Sequence, residues 1–163
     1  MSGLRCPQDL VYKIVRRLDS QLYKTGKTIV RSGNFLDNMF FISRGKCKLV
    51  GHHTHPIGDG RAMRRRFHFL DLLPGSWYGD YQVLLRIPSK FDFVAATEED
   101  DDEEVEDDGA ADSATAGFIG NMVQLWTISA EKFNSLMDEY PVAKKEFTIR
   151  AIKRRSHFNT MYD

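Results

Sequence analysis

A glycine followed directly by an acid, Gly79 and Asp80, stands between the turn signal of Pro74 and Gly75 and the apolar run at 83–85. A glycine in this place allows a small partner to approach the backbone, and its amide and those that follow can donate hydrogen bonds to an anion. Asp80 accepts hydrogen bonds, which the hydroxyl of a sugar can donate. An anion and a hydroxyl group are therefore the chemistries that this stretch can bind.

An anion in a partly buried pocket needs a cationic partner, and a bidentate arginine is the best fit. Two cations follow the apolar run: Arg86 on the turn, and Lys90 at the start of an alternating strand predicted at 90–95. Alternation directs Lys90 away from the face of Ser89, whereas Arg86 can reach in from the turn. The predicted ligand-binding residues are Tyr78, Gly79, Asp80, Tyr81, Gln82, Arg86, Ser89 and Lys90.

Length and composition indicate one domain over residues 1–163. A chain of 163 residues that is 42% hydrophobic and 28% charged can bury one core, as ordinary globular proteins do. Its apolar runs are shorter than the roughly 20 residues that span a bilayer. Cys6 and Cys47 are too few for a disulfide framework or a zinc site.

The charges are distributed unevenly along the chain. Ten of the eleven residues at 98–108 are acidic, which leaves 13 acids against 23 bases elsewhere. We predict a disordered acidic insertion at about 98–117. It is either a solvated insertion or a shield that keeps a basic surface from lipid head groups or a partner. Arg64, Arg65 and Arg66 are interpreted as a solvated loop end, with a lipid or nucleic-acid contact as the alternative.

The hydrophobic pattern predicts an α+β fold. Apolar residues recur at helical spacing up to Leu22, which indicates an N-terminal helix within 1–22. Short strands between glycine corners over 23–128 are typical of an antiparallel β jelly-roll or barrel. Two C-terminal helices follow within 129–163, the first capped by Ser129 and ended at Tyr140 and Pro141, the second running from Val142 to about Phe158.

His53 and His55 form an H-x-H pair, which on a strand would point both imidazoles to one face, as in the metal sites of cupin oxygenases. Pro56, Gly58 and the glycine at 60 indicate a surface loop instead, so we predict no metal. There is no nucleophile with a base and an orienting partner and no phosphate-binding loop, so we predict no catalytic residues and no enzyme. A cupin-like metal enzyme is the least favoured alternative.

The order of an aromatic residue, Gly79, Asp80, an apolar run, a turn with Pro88 and a strand resembles the phosphate-binding cassette of cyclic nucleotide-binding domains. In that family an acid, usually glutamate, holds the ribose hydroxyl, backbone amides hold the cyclic phosphate, and an arginine neutralises it. Gly79 and Asp80 match this cassette, whereas the place of the arginine falls on Ser89. The resemblance extends over most of the chain, with glycines at Gly26, Gly33 and Gly45.

Within this family the chain is most similar to the cytosolic domains of voltage- or cyclic nucleotide-gated ion channels. The resemblance implies a regulatory domain that couples pocket occupancy to gating, with cAMP or cGMP as candidate ligand and no other cofactor. The expected partner is the rest of a tetrameric channel at the cytosolic face of a membrane, with no nucleic acid, and this piece is expected to be soluble. The alternative is a silent homologous domain whose pocket is filled by its own residues.

Overall fold

A computed structural model describes residues 6–96 and 121–162. The predicted insertion at 98–117 lies outside these residues. The described residues form eight strands and four helices. In chain order the elements are α1 (Gln8–Val15), β1 (Asp19–Lys24), β2 (Thr28–Val30), β3 (Asn38–Arg44), β4 (Lys46–Ile57), β5 (Arg61–Leu72), β6 (Trp77–Tyr78), α2 (Asp80–Leu85), β7 (Asp92–Ala96), β8 (Met122–Ser129), α3 (Ala130–Glu139) and α4 (Pro141–Tyr162).

The strands form two antiparallel sheets of four strands each, in the orders β1-β8-β3-β6 and β2-β7-β4-β5. Their facing sides bury apolar side chains such as Leu49 and Leu125, and the rings of Phe40 and Phe93 meet with centroids 5.2 Å apart. Burial of this apolar surface is what holds the two sheets together. The predicted jelly-roll with helices at both ends is confirmed.

The N-terminal helix is shorter than predicted. It ends at Val15, and residues 19–24 form β1, which pairs antiparallel with β8 over its whole length. The helical spacing of Leu18 and Leu22 is therefore misleading, because backbone pairing with β8 outweighs local pattern. Leu22 in β1 is 61% exposed, so the residue contributes little to the core.

Helix α1 is tied to the junction between α3 and α4. The Lys13 ammonium lies 3.0 Å from the Glu139 carboxylate, and the hydroxyl of Tyr140 donates to the Asp9 carboxylate. That hydrogen bond and the Lys13 charge lower the pKa of Asp9. The N-terminal helix is thus joined to the chain beside the break between the last two helices.

Strands β4 and β5 form a hairpin that extends past the rest of its sheet. β7 pairs with β4 only up to Val50, and beyond that point β4 pairs with β5 alone in the described structure. The loop predicted around His53 and the loop end predicted at Arg64–Arg66 are therefore wrong, because both stretches lie in paired strands and the turn is at residues 58–60. Asp59 and Gly60 both have positive φ there, which closes the hairpin.

The C-terminal helices follow the prediction closely. The Ser129 hydroxyl accepts a hydrogen bond from the Lys132 amide at 3.2 Å, which confirms the N-cap of α3. α3 ends before Tyr140, and α4 starts at Pro141 and continues to Tyr162, four residues past the predicted end. Among the described residues, no helix has the length and apolarity needed to cross a membrane.

Candidate ligand-binding cassette

Gly79 joins β6 to the short helix α2. It has φ of 105° and is the N-cap of α2, and its carbonyl accepts from the Val83 amide at 3.0 Å. A β-carbon on Gly79 would lie 2.8 Å from Leu36 Cδ2, so both the backbone angle and the space require glycine. The sequence pattern showed the apolar residues at 83–85 but not that they belong to a helix.

Asp80 is paired with an arginine from α4 that sequence analysis did not select. Nη1 of Arg154 lies 3.4 Å from Oδ1 of Asp80, and both side chains are largely buried. Nη2 of Arg154 also donates to the Trp77 carbonyl at 2.6 Å. The guanidinium carbon lies 4.7 Å from the Trp77 ring centroid and 5.2 Å from that of Phe158, so Arg154 is held from several sides.

A sequence signal for Arg154 does exist. Phe147, Ala151 and Phe158 recur at helical spacing along the last helix, and Arg154 stands three residues after Ala151 and four before Phe158. Residues three and four apart on a helix share one face. The pattern therefore placed Arg154 on the packing side, although its charge suggested solvent.

Ser89 stands where the resemblance to cyclic nucleotide-binding domains places an arginine. It forms hydrogen bonds with uncharged partners only. Its hydroxyl lies 2.6 Å from the Tyr78 hydroxyl and donates to the Phe91 carbonyl at 2.5 Å. Because the Ser89 proton is used there, Tyr78 is the donor in the pair of hydroxyls. Ser89 and Tyr78 are only 2% and 1% exposed, and burial raises the pKa of Tyr78 well above its usual value.

Arg86 and Lys90, the two cations predicted to bind the anion, are both directed elsewhere and do not take the place of the missing arginine. Arg86 is the exposed C-cap of α2 and lines a groove of about 540 Å³ whose lining includes neither Asp80 nor Ser89. The Lys90 ammonium lies 3.8 Å from the ring centroid of Tyr162 and 3.5 Å from Oδ1 of Asn159, so it is directed toward α4. β7 begins only at Asp92, and its residues are buried on both faces rather than in alternation.

Aromatic rings from α4 cover the cassette. Phe158 meets Phe91 edge-on with centroids 6.2 Å apart and Tyr81 at 6.1 Å. Tyr162 lies 5.5 Å from Phe91, and its hydroxyl donates to the His52 carbonyl at 2.6 Å. α4 is therefore fixed over the cassette at two successive turns.

Gln82 is an unusual member of the site. Its side chain is 2% exposed, and neither amide atom makes a hydrogen bond of normal geometry within the described structure. The amide lies near the hydroxyls of Tyr78 and Tyr81. Buried polar groups are nearly always paired, so Gln82 is the place where a modest rearrangement of the cassette would gain a hydrogen bond.

Tyr81 should make the free energy of unfolding decrease at alkaline pH. Burial, with the neighbouring Asp80 charge, raises the pKa of Tyr81 to about 12, compared with about 10 in an unfolded chain. The folded state holds this proton more tightly, so the contribution is complete below pH ~10 and is lost as the pH rises toward ~12. We expect Tyr81→Phe to reduce the fall in unfolding free energy over this interval by up to about 1.4 kcal/mol per pH unit. Denaturant titrations at several pH values test this, and equal slopes in both proteins would contradict it.

One histidine of β4, His52, is paired with an acid. Nε2 of His52 lies 2.9 Å from Oδ2 of Asp92, which also lies 3.7 Å from Nη2 of Arg66. Oδ1 of Asp92 accepts from the Ser32 amide at 2.7 Å. Within residues 6–96 and 121–162, no three histidine, cysteine or acidic side chains stand close enough together to hold a metal ion.

The solved structures that are similar to this fold include the following two. The catabolite activator protein of Thermus thermophilus superposes with a TM-score of 0.63 and 16% identity over 98% of this chain and 59% of its own length. The chain has the cyclic nucleotide-binding fold. The regulatory domain of Toxoplasma gondii PKA, solved with cAMP, superposes on this cyclic nucleotide-binding fold with a TM-score of 0.59 and 12% identity, over 89% of this chain and 42% of its own. No family model and no curated protein sequence matches the chain.

Proposed function

We propose that the chain is the regulatory domain of a larger protein, in which the occupant of the cassette sets the position of α4. The cover formed by α4 carries this proposal: Arg154 is paired with Asp80, and Phe158 packs against Phe91 and Tyr81. A group that enters the cassette must meet these side chains first. Occupancy and the position of α4 are thereby coupled, as in any two-state equilibrium in which a ligand prefers one state.

The contact between α1 and the helix junction supports a route for the signal. Tyr140 stands between α3 and α4 and donates to Asp9 of α1, while Lys13 of α1 pairs with Glu139. A movement of α4 about this junction changes the surroundings of α1. We propose that the larger protein is a tetrameric voltage- or nucleotide-gated ion channel with this domain at the cytosolic face of the membrane, on the resemblance around Gly79 and Asp80.

We propose that the cassette is usually occupied by the chain's own side chains rather than by a nucleotide. Ser89 supplies no positive charge for a phosphate, and its hydroxyl is already engaged with Tyr78 and the Phe91 carbonyl. Asp80, which would accept from a ribose hydroxyl, is paired with Arg154. Binding of an anion therefore has to break existing contacts and lacks the charge-assisted hydrogen bond that would offset their loss.

Regulation by cAMP or cGMP is the second candidate. It is favoured by Gly79 at the N-terminus of α2, with the amide donors that follow it, and by Asp80 beside them. In this case the nucleotide displaces Arg154 from Asp80, and α4 changes position on binding. The two candidates differ in affinity, which makes them separable by titration.

Calorimetric titration with cAMP and cGMP tests both candidates. If the cassette is self-occupied, the wild-type protein gives no binding heat at millimolar nucleotide, whereas Ser89→Arg binds about ten- to a hundredfold more tightly than wild type, as expected for one hydrogen bond to a charged group. Ser43→Arg, at an exposed position of β3, adds the same charge away from the cassette and should leave binding at the wild-type level.

Micromolar binding by the wild-type protein would establish the second candidate instead. A folded Ser89→Arg protein that binds no better than Ser43→Arg would contradict the cassette itself as the ligand site. Thermal unfolding of each variant shows whether it is folded, and only folded variants enter the comparison of binding.

A further inference from the structure

The outer part of the β4–β5 hairpin, residues 53–66, carries more positive charge than the other described elements neutralise. All fourteen residues are exposed. Arg61, Arg64 and Arg65 form no ion pair in the described structure, and Arg66 reaches Asp92 only at 3.7 Å. Asp59 is the sole acid of this stretch, so the hairpin end is clearly positive. We call residues 53–66 the basic hairpin tip.

Two apolar side chains stand at the same tip. Ile57, just before the turn, is 52% exposed, and Met63, just after it, is 42% exposed. The strand register pairs Ile57 with Arg61 and His55 with Met63. The apolar side chains therefore lie among the arginines at the far end of the hairpin, instead of covering the sandwich core.

The arginines surround the tip rather than forming one stripe. Side chains alternate between the faces of a strand, so Arg61 and Arg65 share one face and Arg64 lies on the other. A rod-like polyanion such as nucleic acid is contacted by a basic stripe on one face. Ile57 and Met63 point to the same face as Arg61 and Arg65, so apolar side chains and cations alternate there. This mixture fits the interface of a bilayer, which offers both anionic groups and an apolar layer, better than it fits a polyanion.

We propose that the basic hairpin tip docks on the surface of an anionic lipid bilayer. The arginines contact acidic head groups, and Ile57 and Met63 enter the interface between head groups and acyl chains. The long arginine side chains can keep their charge at head-group level while the apolar pair lies deeper. This surface is separate from the cassette, so the proposal does not depend on which ligand the cassette takes.

Co-sedimentation of the intact chain with vesicles tests the proposal. We expect binding to vesicles of phosphatidylcholine mixed with phosphatidylserine and none to pure phosphatidylcholine. Each arginine near such a surface contributes about fivefold in partitioning, so the triple variant Arg61→Gln, Arg64→Gln, Arg65→Gln should bind about a hundredfold more weakly. Asp59→Asn, which removes the opposing charge at a turn that asparagine tolerates, should bind about fivefold more tightly.

A charge-matched control separates the tip from general electrostatic attraction. The triple variant Lys145→Gln, Arg150→Gln, Lys153→Gln loses the same charge at exposed positions of α4 and should bind nearly as well as wild type. An equal loss in the two triple variants would overturn the proposal. The four tip residues changed in these variants are all exposed, so thermal unfolding should be little altered.

The apolar side chains distinguish a bilayer from a soluble polyanion. Ile57→Ser with Met63→Ser keeps every charge and should weaken vesicle binding by about tenfold or more, as expected for lost burial of two apolar side chains. Undiminished binding by this variant would overturn the proposal. So would tighter binding to duplex DNA or polyglutamate than to vesicles at equal salt, or displacement from vesicles by soluble glycerophosphoserine.

Discussion

Replacing Phe158 by alanine should lower the free energy of unfolding by about 3–5 kcal/mol, as is typical when a buried aromatic ring is removed. Phe158 is only 5% exposed and lies beside Phe69, Phe91 and Tyr81. Removal of its ring leaves a cavity between α4 and the cassette that the surrounding rings cannot fill without moving. Denaturant unfolding measures the change.

Ile152→Ala is the matched control on the same helix. Its side chain is 50% exposed, so the loss should stay within about 1 kcal/mol. Hydrogen exchange adds a local measurement: in Phe158→Ala the amides of the second half of α4 should exchange faster, because that half has lost its anchor. A loss in Phe158→Ala no larger than in Ile152→Ala would show that α4 is not held by this ring.

Gly79→Ala should destabilise the protein by about 2–3 kcal/mol and change the start of α2. The backbone angle of 105° is strained for any residue with a β-carbon. The new methyl group would also lie 2.8 Å from Leu36 Cδ2 and 3.2 Å from the Asn38 carbonyl oxygen. Leu36 can move, whereas the carbonyl belongs to β3 and cannot do so cheaply. Thermal and denaturant unfolding measure the loss.

Gly75→Ala separates backbone strain from crowding. Gly75 has φ of 90°, and a β-carbon there would meet no atom within 4 Å. We expect a loss of about 1 kcal/mol, from the backbone angle alone. Equal losses at Gly75 and Gly79 would mean that the contact with Leu36 and β3 has no energetic weight.

The parts of the fold that depend on local chemistry could be predicted from the sequence. Ser129 as an N-cap and the break at Tyr140 follow from the preferences of single residues, and both lie where the pattern placed them. The strand at β8 and the jelly-roll architecture likewise follow from short apolar segments between turn residues. β1 could not be predicted in this way, because its structure comes from pairing with β8, which lies about a hundred residues away.

In the site too, local features could be predicted from the sequence and long-range contacts could not. That Ser89 stands where the family has its arginine is visible in the sequence, because this position is fixed by its distance from Gly79 and Asp80. Which cation pairs with Asp80 is not visible, because Arg154 is 74 positions further on and arrives through the packing of α4. Arg86 is nearer in sequence, but its place at the end of α2 directs it to another groove. Nearness along the chain is thus a poor guide to charge pairing across a folded core.

The stacking of Arg154 on Trp77 gives the domain a built-in optical reporter. The chain has two tryptophans, and Trp126 lies on β8, whereas the Trp77 indole is in contact with a cation carried by α4. With Trp126 replaced by phenylalanine, a single fluorophore would remain at the boundary between sheet and helix. Departure of α4 would remove the guanidinium from this indole and change its emission, so the state of the helix could be followed in unlabelled protein.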